Sequence, residues 1–179
     1  MKNKIITIIK PQAWVGYRTS ELSWTIGLTV AIVIAPAILA HTPANQLVTG
    51  SIVNALLFIA ASRLPLANVF FVAVLPSSVA LLRGLLPAPM AMLIPYIIFS
   101  NLLLVSAFSF LKKTPLIGVL TGSFIKFAFL YSITLLVAGK LSGPLVAMFQ
   151  WPQLITALIG GFIALSVLKL LPQKSEKNS

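Results

Sequence analysis

Residues 115–138 read PLIGVLTGSFIKFAFLYSITLLVA. A helix needs about 20 predominantly apolar residues to cross a bilayer. This run meets that length with one charge, Lys126, near its middle. The remainder of the chain has the same character. Its 179 residues are 59% hydrophobic and 8% charged, with a mean hydropathy of +1.04. A soluble domain carries about 25% charged residues, so an ordinary cytosolic globule is excluded. Leu, Ile, Val and Phe are too frequent for a disordered chain. The composition predicts one compact, polytopic, all-α membrane domain.

Working outward from that run, five further apolar segments emerge, at 22–40, 46–61, 66–82, 89–111 and 150–171. The expected fold is therefore an integral membrane protein with six transmembrane helices. Residues 1–21 form a cytoplasmic or interfacial segment, 22–171 the membrane domain, and 172–179 a disordered cytoplasmic tail. The second and third spans are short, which thinning, snorkelling or burial among longer helices can accommodate. A five-span alternative makes these two a re-entrant pair.

Charge sets the orientation. The chain has 13 Lys and Arg against 2 acids, a formal +11. With the N-terminus inside, the inner segments hold Lys2, Lys4, Lys10, Arg18, Arg63, Lys112, Lys113, Lys169, Lys174 and Lys177. The outer loops hold only Arg83 and Lys140. This bias places both termini in the cytoplasm, with the protein in the cell membrane. The basic residues sit at span ends rather than in a stripe, so the implied partner is the anionic leaflet, with no nucleic acid. The outer 139–149 loop is the longest, and apolar enough to fold back over a cavity.

Several chemistries are absent. There are no cysteines, which excludes disulfides and thiol chemistry. The acids are Glu21 and Glu176, both near predicted cytoplasmic ends. No carboxylate relay or carboxylate metal site can form inside the membrane. A single histidine, His41, cannot build a His-rich metal site or complete a catalytic triad. No nucleotide-binding loop is present. The protein is expected to be no enzyme and to need no cofactor, and any energy for transport to come from a partner.

Lys126 is the most informative residue. It lies roughly 16 Å from the inner end of its span at 1.5 Å per residue. An intramembrane cation usually faces the protein interior or a water-filled cavity. With no internal acid, its partner is a backbone carbonyl, an amide such as Asn54 or Asn101, water, or an anionic ligand. The alternative is a lysine that snorkels to an interface or is held neutral by burial. Other polar residues gather toward the outer half: Asn45, Gln46, Thr49, Ser51 and Asn54, then Arg83, then Tyr131 and Thr134, then Gln150, Trp151 and Gln153. Together they suit an outward-facing pocket with an aromatic wall and amide donors. Tyr131 and Trp151 equally suit an interfacial belt, Arg83 a headgroup anchor, and Asn45 and Gln150 simple loop or cap positions.

Small residues give a second signal. Gly27, Ala31 and Ala35 recur at four-residue spacing, a smooth stripe on the first helix. Gly118 and Gly122 make a similar stripe one turn before Lys126, and Gly160 and Gly161 lie in the last span. Such stripes serve internal packing or the docking of another membrane protein. Pro36, Pro76 and Pro95 interrupt three spans, and each frees a carbonyl that must be satisfied.

This layout resembles a substrate-binding S component of the energy-coupling factor (ECF) vitamin transporters, over residues 22–171. The resemblance rests on span count, length, orientation and the Gly27, Ala31, Ala35 stripe. In that family an Ala-rich stripe on the first helix docks the transmembrane coupling subunit, which acts with separate ATPases. By resemblance, the substrate pocket involves Asn101, Lys126, Tyr131, Gln150 and Trp151, under loops carrying Asn45 and Arg83. Gly27 departs from the AxxxAxxxA form. The Met-His hook of the cobalt and nickel type is absent from the opening MKNK. The resemblance implies capture of a small organic molecule and its uptake by an ATP-driven toppling motion. The unpaired lysine points to an anionic, vitamin-like substrate. The competing readings are a stand-alone homo-oligomeric permease or channel, and a non-transporting assembly or regulatory membrane protein.

Overall fold

A computed structural model describes residues 19–39, 45–82, 84, 88–137, 139 and 142–171. The expected interfacial segment before residue 19, His41, Arg83, Lys140 and the tail after residue 171 lie outside the described residues, as does the side chain of Asn45. The chain is all-helical. Six long helices are α1 (Thr19–Leu39), α2 (Asn45–Arg63), α3 (Leu66–Leu82), α4 (Ile94–Phe110), α5 (Pro115–Val137) and α7 (Trp151–Leu170). A short 3-10 helix, Ala88–Leu93, leads into α4, and a one-and-a-half-turn helix α6 (Gly143–Met148) precedes α7. Five segments are long and apolar enough to cross a membrane, and α3 is an apolar helix of 17 residues. This architecture fits a membrane-embedded helical protein.

Prolines mark several helix starts. Pro95, Pro144 and Pro152 fall in the first turns of α4, α6 and α7, where the missing N–H has no intrahelical acceptor to leave unpaired. Pro95 lies inside the apolar Ala91–Phe110 segment, which changes from 3-10 to α-helix at Leu93, just before it. Pro36 and Pro76 do lie inside α1 and α3. Beyond α3, Gly84 takes a left-handed φ of 63° and its N–H bonds Leu81 O at 3.0 Å, a turn that glycine makes without a Cβ penalty.

The helices alternate in direction. At one end, the Arg63 guanidinium that closes α2 sits 5.7 Å from the Trp24 ring near the start of α1. There, too, Asn68 near the start of α3 donates to Thr25 Oγ1 at 3.2 Å. At the other end, Gln46 at the start of α2 donates to Met148 O, just before α7, at 2.8 Å. The chain thus enters α1 and leaves α7 at the same end of the bundle. Helix α2 runs from one end of the bundle to the other.

Packing makes α2 central. It contacts α1, α3, α4 and α7, while α4 pairs with α5 and α5 with α7. The main core gathers Phe58, Leu57, Ile32, Val69, Val72, Leu104, Phe108 and Val119, with Phe58 edge-on to Phe108 at 5.2 Å. Glycines decide how close the helices come. A Cβ on Gly160 would lie 2.5 Å from Ser51 O, and one on Gly122 would lie 3.0 Å from Leu104 O. A Cβ on Gly161 would strike Val119 Cγ1. Gly160 holds α7 against α2, and Gly122 holds α5 against α4, at backbone contact, while Gly161 leaves room on α7 for the Val119 side chain of α5. Gly27 behaves differently, since nothing lies within 4 Å of its would-be Cβ. Its helix turns Leu22, Ile26, Val30, Ile34 and Ile38 outward.

A smaller apolar cluster closes the α6 end. Leu93, Leu130 and Phe149 are buried there, with Ile97, Phe129, Ile133, Leu145 and Met148 around them. The long loop therefore folds back onto the bundle, as its apolar composition predicts.

Candidate functional site

Helix α5 buries one continuous face: Gly118, Val119, Gly122, Ser123, Lys126, Leu130 and Thr134. Spacings of three and four residues align them along the helix. Lys126 therefore points inward because it shares the glycine face. It lies at the midpoint of α5 and is only 4% exposed.

Two amides receive it. Lys126 Nζ donates to Asn54 Oδ1 of α2 at 2.7 Å and to Asn101 Oδ1 of α4 at 2.8 Å. Both asparagines are buried. Each then spends its NH2 group elsewhere. Asn101 Nδ2 donates to Ala73 O of α3 at 3.3 Å. Asn54 Nδ2 donates to Thr156 Oγ1 of α7 at 3.3 Å, and Thr156 Oγ1 donates to Gln153 O at 3.2 Å. One polar layer thus ties α2, α3, α4, α5 and α7 together at mid-bundle. Every amide oxygen faces a donor and every amide nitrogen an acceptor, the condition for tolerating polar groups in an apolar interior.

The charge is less well served than the hydrogen bonds. Both acceptors are neutral, and two of the three N–H groups of an ammonium are used. Among the described residues no acid reaches mid-bundle, and Glu21 lies in the first turn of α1. One turn before Lys126, Ser123 is fully buried and its hydroxyl has no hydrogen-bond partner.

The residues expected to form a single pocket separate into groups. Asn101 and Lys126 meet directly. Tyr131 lies on the flank of α5, its ring 5.6 Å from Phe127. Trp151, 61% exposed, stacks on Phe127 at 5.1 Å. With Phe124, 6.4 Å from Phe127, these rings form an aromatic ladder beside the polar layer rather than its wall. Gln150 is half-buried at the N-cap of α7. The backbone of Asn45 begins α2. Of the stripe on α1, Gly27 is exposed, and Ala31 and Ala35 are half-buried.

Asn54 enters the layer as a second acceptor and Thr156 as its anchor. Thr156 was not expected. A signal for it exists in the chain: Gly50 precedes Asn54, Gly122 precedes Lys126, and Gly160 follows Thr156, each by one helical turn. A glycine one turn away brings the backbones close enough for short polar side chains to meet. No cluster of three or more His, Cys, Asp or Glu side chains occurs among the described residues.

No family model, no curated protein and no solved structure matches the chain.

Proposed function

We propose that this protein is a membrane-embedded capture subunit that binds a small anionic organic molecule at Lys126 and hands it inward. The observation that carries the proposal is a buried mid-bundle lysine whose hydrogen bonds are met by two neutral amides while no acid among the described residues lies beside it. Buried cations in membrane spans mark ligand or ion sites because their desolvation must be offset by something. An anionic group on a ligand supplies the missing charge and forms a stronger, charge-assisted bond than an amide does.

In this reading all six long helices cross the cell membrane and both chain ends face the cytoplasm. The positive-inside bias of the sequence supports that orientation, as do the shared ends of α1 and α7. The α6 end then faces outward. The resemblance to ECF S components adds a separate ATP-hydrolysing module and a coupling subunit docked on Gly27, Ala31 and Ala35. The open space around Gly27 is compatible with such docking. No catalytic step is proposed.

The test is native mass spectrometry of the purified protein, with identification of any small molecule that remains bound. A stoichiometric organic anion is the expected result, lost in Lys126→Met while the variant stays folded and membrane-inserted. An anion bound equally well by Lys126→Met would overturn the assignment.

A further inference from the structure

The two bonds to Lys126 are mechanically different. Asn101 and Lys126 belong to one tightly packed helix pair. Gly122 brings α5 against the Leu104 carbonyl of α4, and Gly118 packs on Phe108. Asn101 is also anchored to the main chain of α3 through Ala73 O. The distance between these two residues is therefore fixed by backbone packing.

Asn54 belongs to another pair. Gly160 packs on the α2 backbone at Ser51 and Ala55, and Gly50 packs on Thr156. Its remaining anchor is a side chain, Thr156. Helices α2 and α5 do not form one of the closely packed pairs, and the Lys126 side chain reaches from α5 to Asn54 of α2. The Lys126–Asn54 bond crosses from one pair to the other. Breaking it leaves each partner held within its own pair.

Resting on the anionic-ligand reading above, we propose that a ligand carboxylate replaces Asn54 as the acceptor at Lys126, while Asn101 remains bonded and positions the lysine. The exchange swaps a neutral acceptor for an anionic one at a buried cation. Asn54 keeps its bond to Thr156, and the second N–H of its amide can donate to the second carboxylate oxygen. Among the described residues Lys126 is the single charged group at mid-bundle, so the site matches one negative charge. A monocarboxylate fits this balance, and a phosphate dianion leaves one charge uncompensated in a low-dielectric interior.

The test uses the full chain in lipid nanodiscs with radiolabelled benzoate and, separately, inorganic phosphate, both at about pH 8, where phosphate is mainly the dianion. Wild type should bind benzoate at least about tenfold more tightly than phosphate, the ratio expected when a buried charge is left unpaired. Asn54→Ala should hold benzoate within about fivefold of wild type, because the ligand oxygen takes the vacated position. Asn54→Asp should lose it by more than about thirtyfold, because its own carboxylate fills the position. Asn101→Ala should weaken binding by more than about tenfold, since the lysine loses its tether. Tolerance of Asn101→Ala together with failure of Asn54→Ala would reverse the assignment. Phosphate binding as tight as benzoate would overturn the monoanion claim.

A measurement on unmutated protein guards against variants that misfold. With ¹⁵N-lysine, ¹³C-asparagine protein, solid-state dipolar recoupling should detect two Nζ–Cγ contacts at Lys126 before benzoate is added and one afterwards. A new contact to the benzoate carboxyl carbon should replace the lost one. Two surviving asparagine contacts in the complex would refute the exchange. Failure of both benzoate and phosphate to bind wild type, or equal benzoate affinity in Lys126→Met, would instead bring down the parent reading.

Discussion

Lys126 of α5 and Asn101 of α4 face each other across antiparallel helices, with Nζ 2.8 Å from Oδ1. The pairing sits one turn beyond the point where Gly122 brings the two backbones together. Because the lysine is buried, its acceptors matter to folding as well as to any ligand. Asn101→Leu should destabilise the protein by about 2–4 kcal/mol, since it removes one of two acceptors from a buried cation. Adding Lys126→Met should recover at least about 1 kcal/mol of that loss, because the two residues share one network. Unfolding of the two single variants and the double variant in detergent measures the coupling. Additive losses would show that the bond contributes nothing to stability.

Glycines of similar appearance should respond oppositely. Gly160→Ala places a Cβ 2.5 Å from Ser51 O, where backbone must move, and should cost about 1–3 kcal/mol. Gly27→Ala meets open space and should change stability by less than about 0.5 kcal/mol. Thermal unfolding of both variants checks the contrast.

The half-buried Ala31 tests docking separately from folding. Ala31→Trp should leave ligand binding intact and block assembly with a coupling subunit, measured by co-purification with such a subunit. Loss of ligand binding as well would assign the stripe to internal packing.

Phe149 plugs the α6 end with Leu93 and Leu130. Phe149→Ala should cost about 3 kcal/mol, the low end for a large aromatic deletion, because the cluster is small. Amide hydrogen exchange should rise in residues 143–149 and around Leu130, and stay unchanged around Phe58 and Phe108. Uniform loosening would mean that the plug is not a separate unit.

Ser123 carries a buried hydroxyl with no partner. Ser123→Ala should be neutral or raise stability by up to about 1 kcal/mol, since it removes an unpaired polar group. A clear loss of stability would reveal a partner for that hydroxyl.

The apolar runs located each long helix to within a few residues, since the requirement for a membrane-length apolar segment is a local property of the chain. They also anticipated that the loop before α7 would fold back, because Leu145, Met148 and Phe149 leave too much apolar surface for an extended loop. Pro36 and Pro76 are interior to helices, and Pro95 falls where a 3-10 turn passes into α4 within one apolar segment; composition alone cannot separate a kink from a change of helix type.

The sequence placed Lys126 inside an acid-free apolar run but left burial and snorkelling as alternatives, and the packing of α5 decided for burial. Which groups receive it was likewise left open. Asn54 lies 72 residues away and Asn101 lies 25 away, and both were only named among possible acceptors. Thr156 was marked only by Gly160 one turn after it, and the Ala73 carbonyl had no local mark of its role. Helical periodicity is a local rule, and it fixes which side chains share a face. It says nothing about which face of which other helix arrives opposite. That choice came from backbone approach at Gly50, Gly122 and Gly160, which set the helix pairs and their register. The sequence by itself determined the helices and the presence of a lone internal cation. Only the tertiary packing decided that two neutral amides on separate helices would hold it.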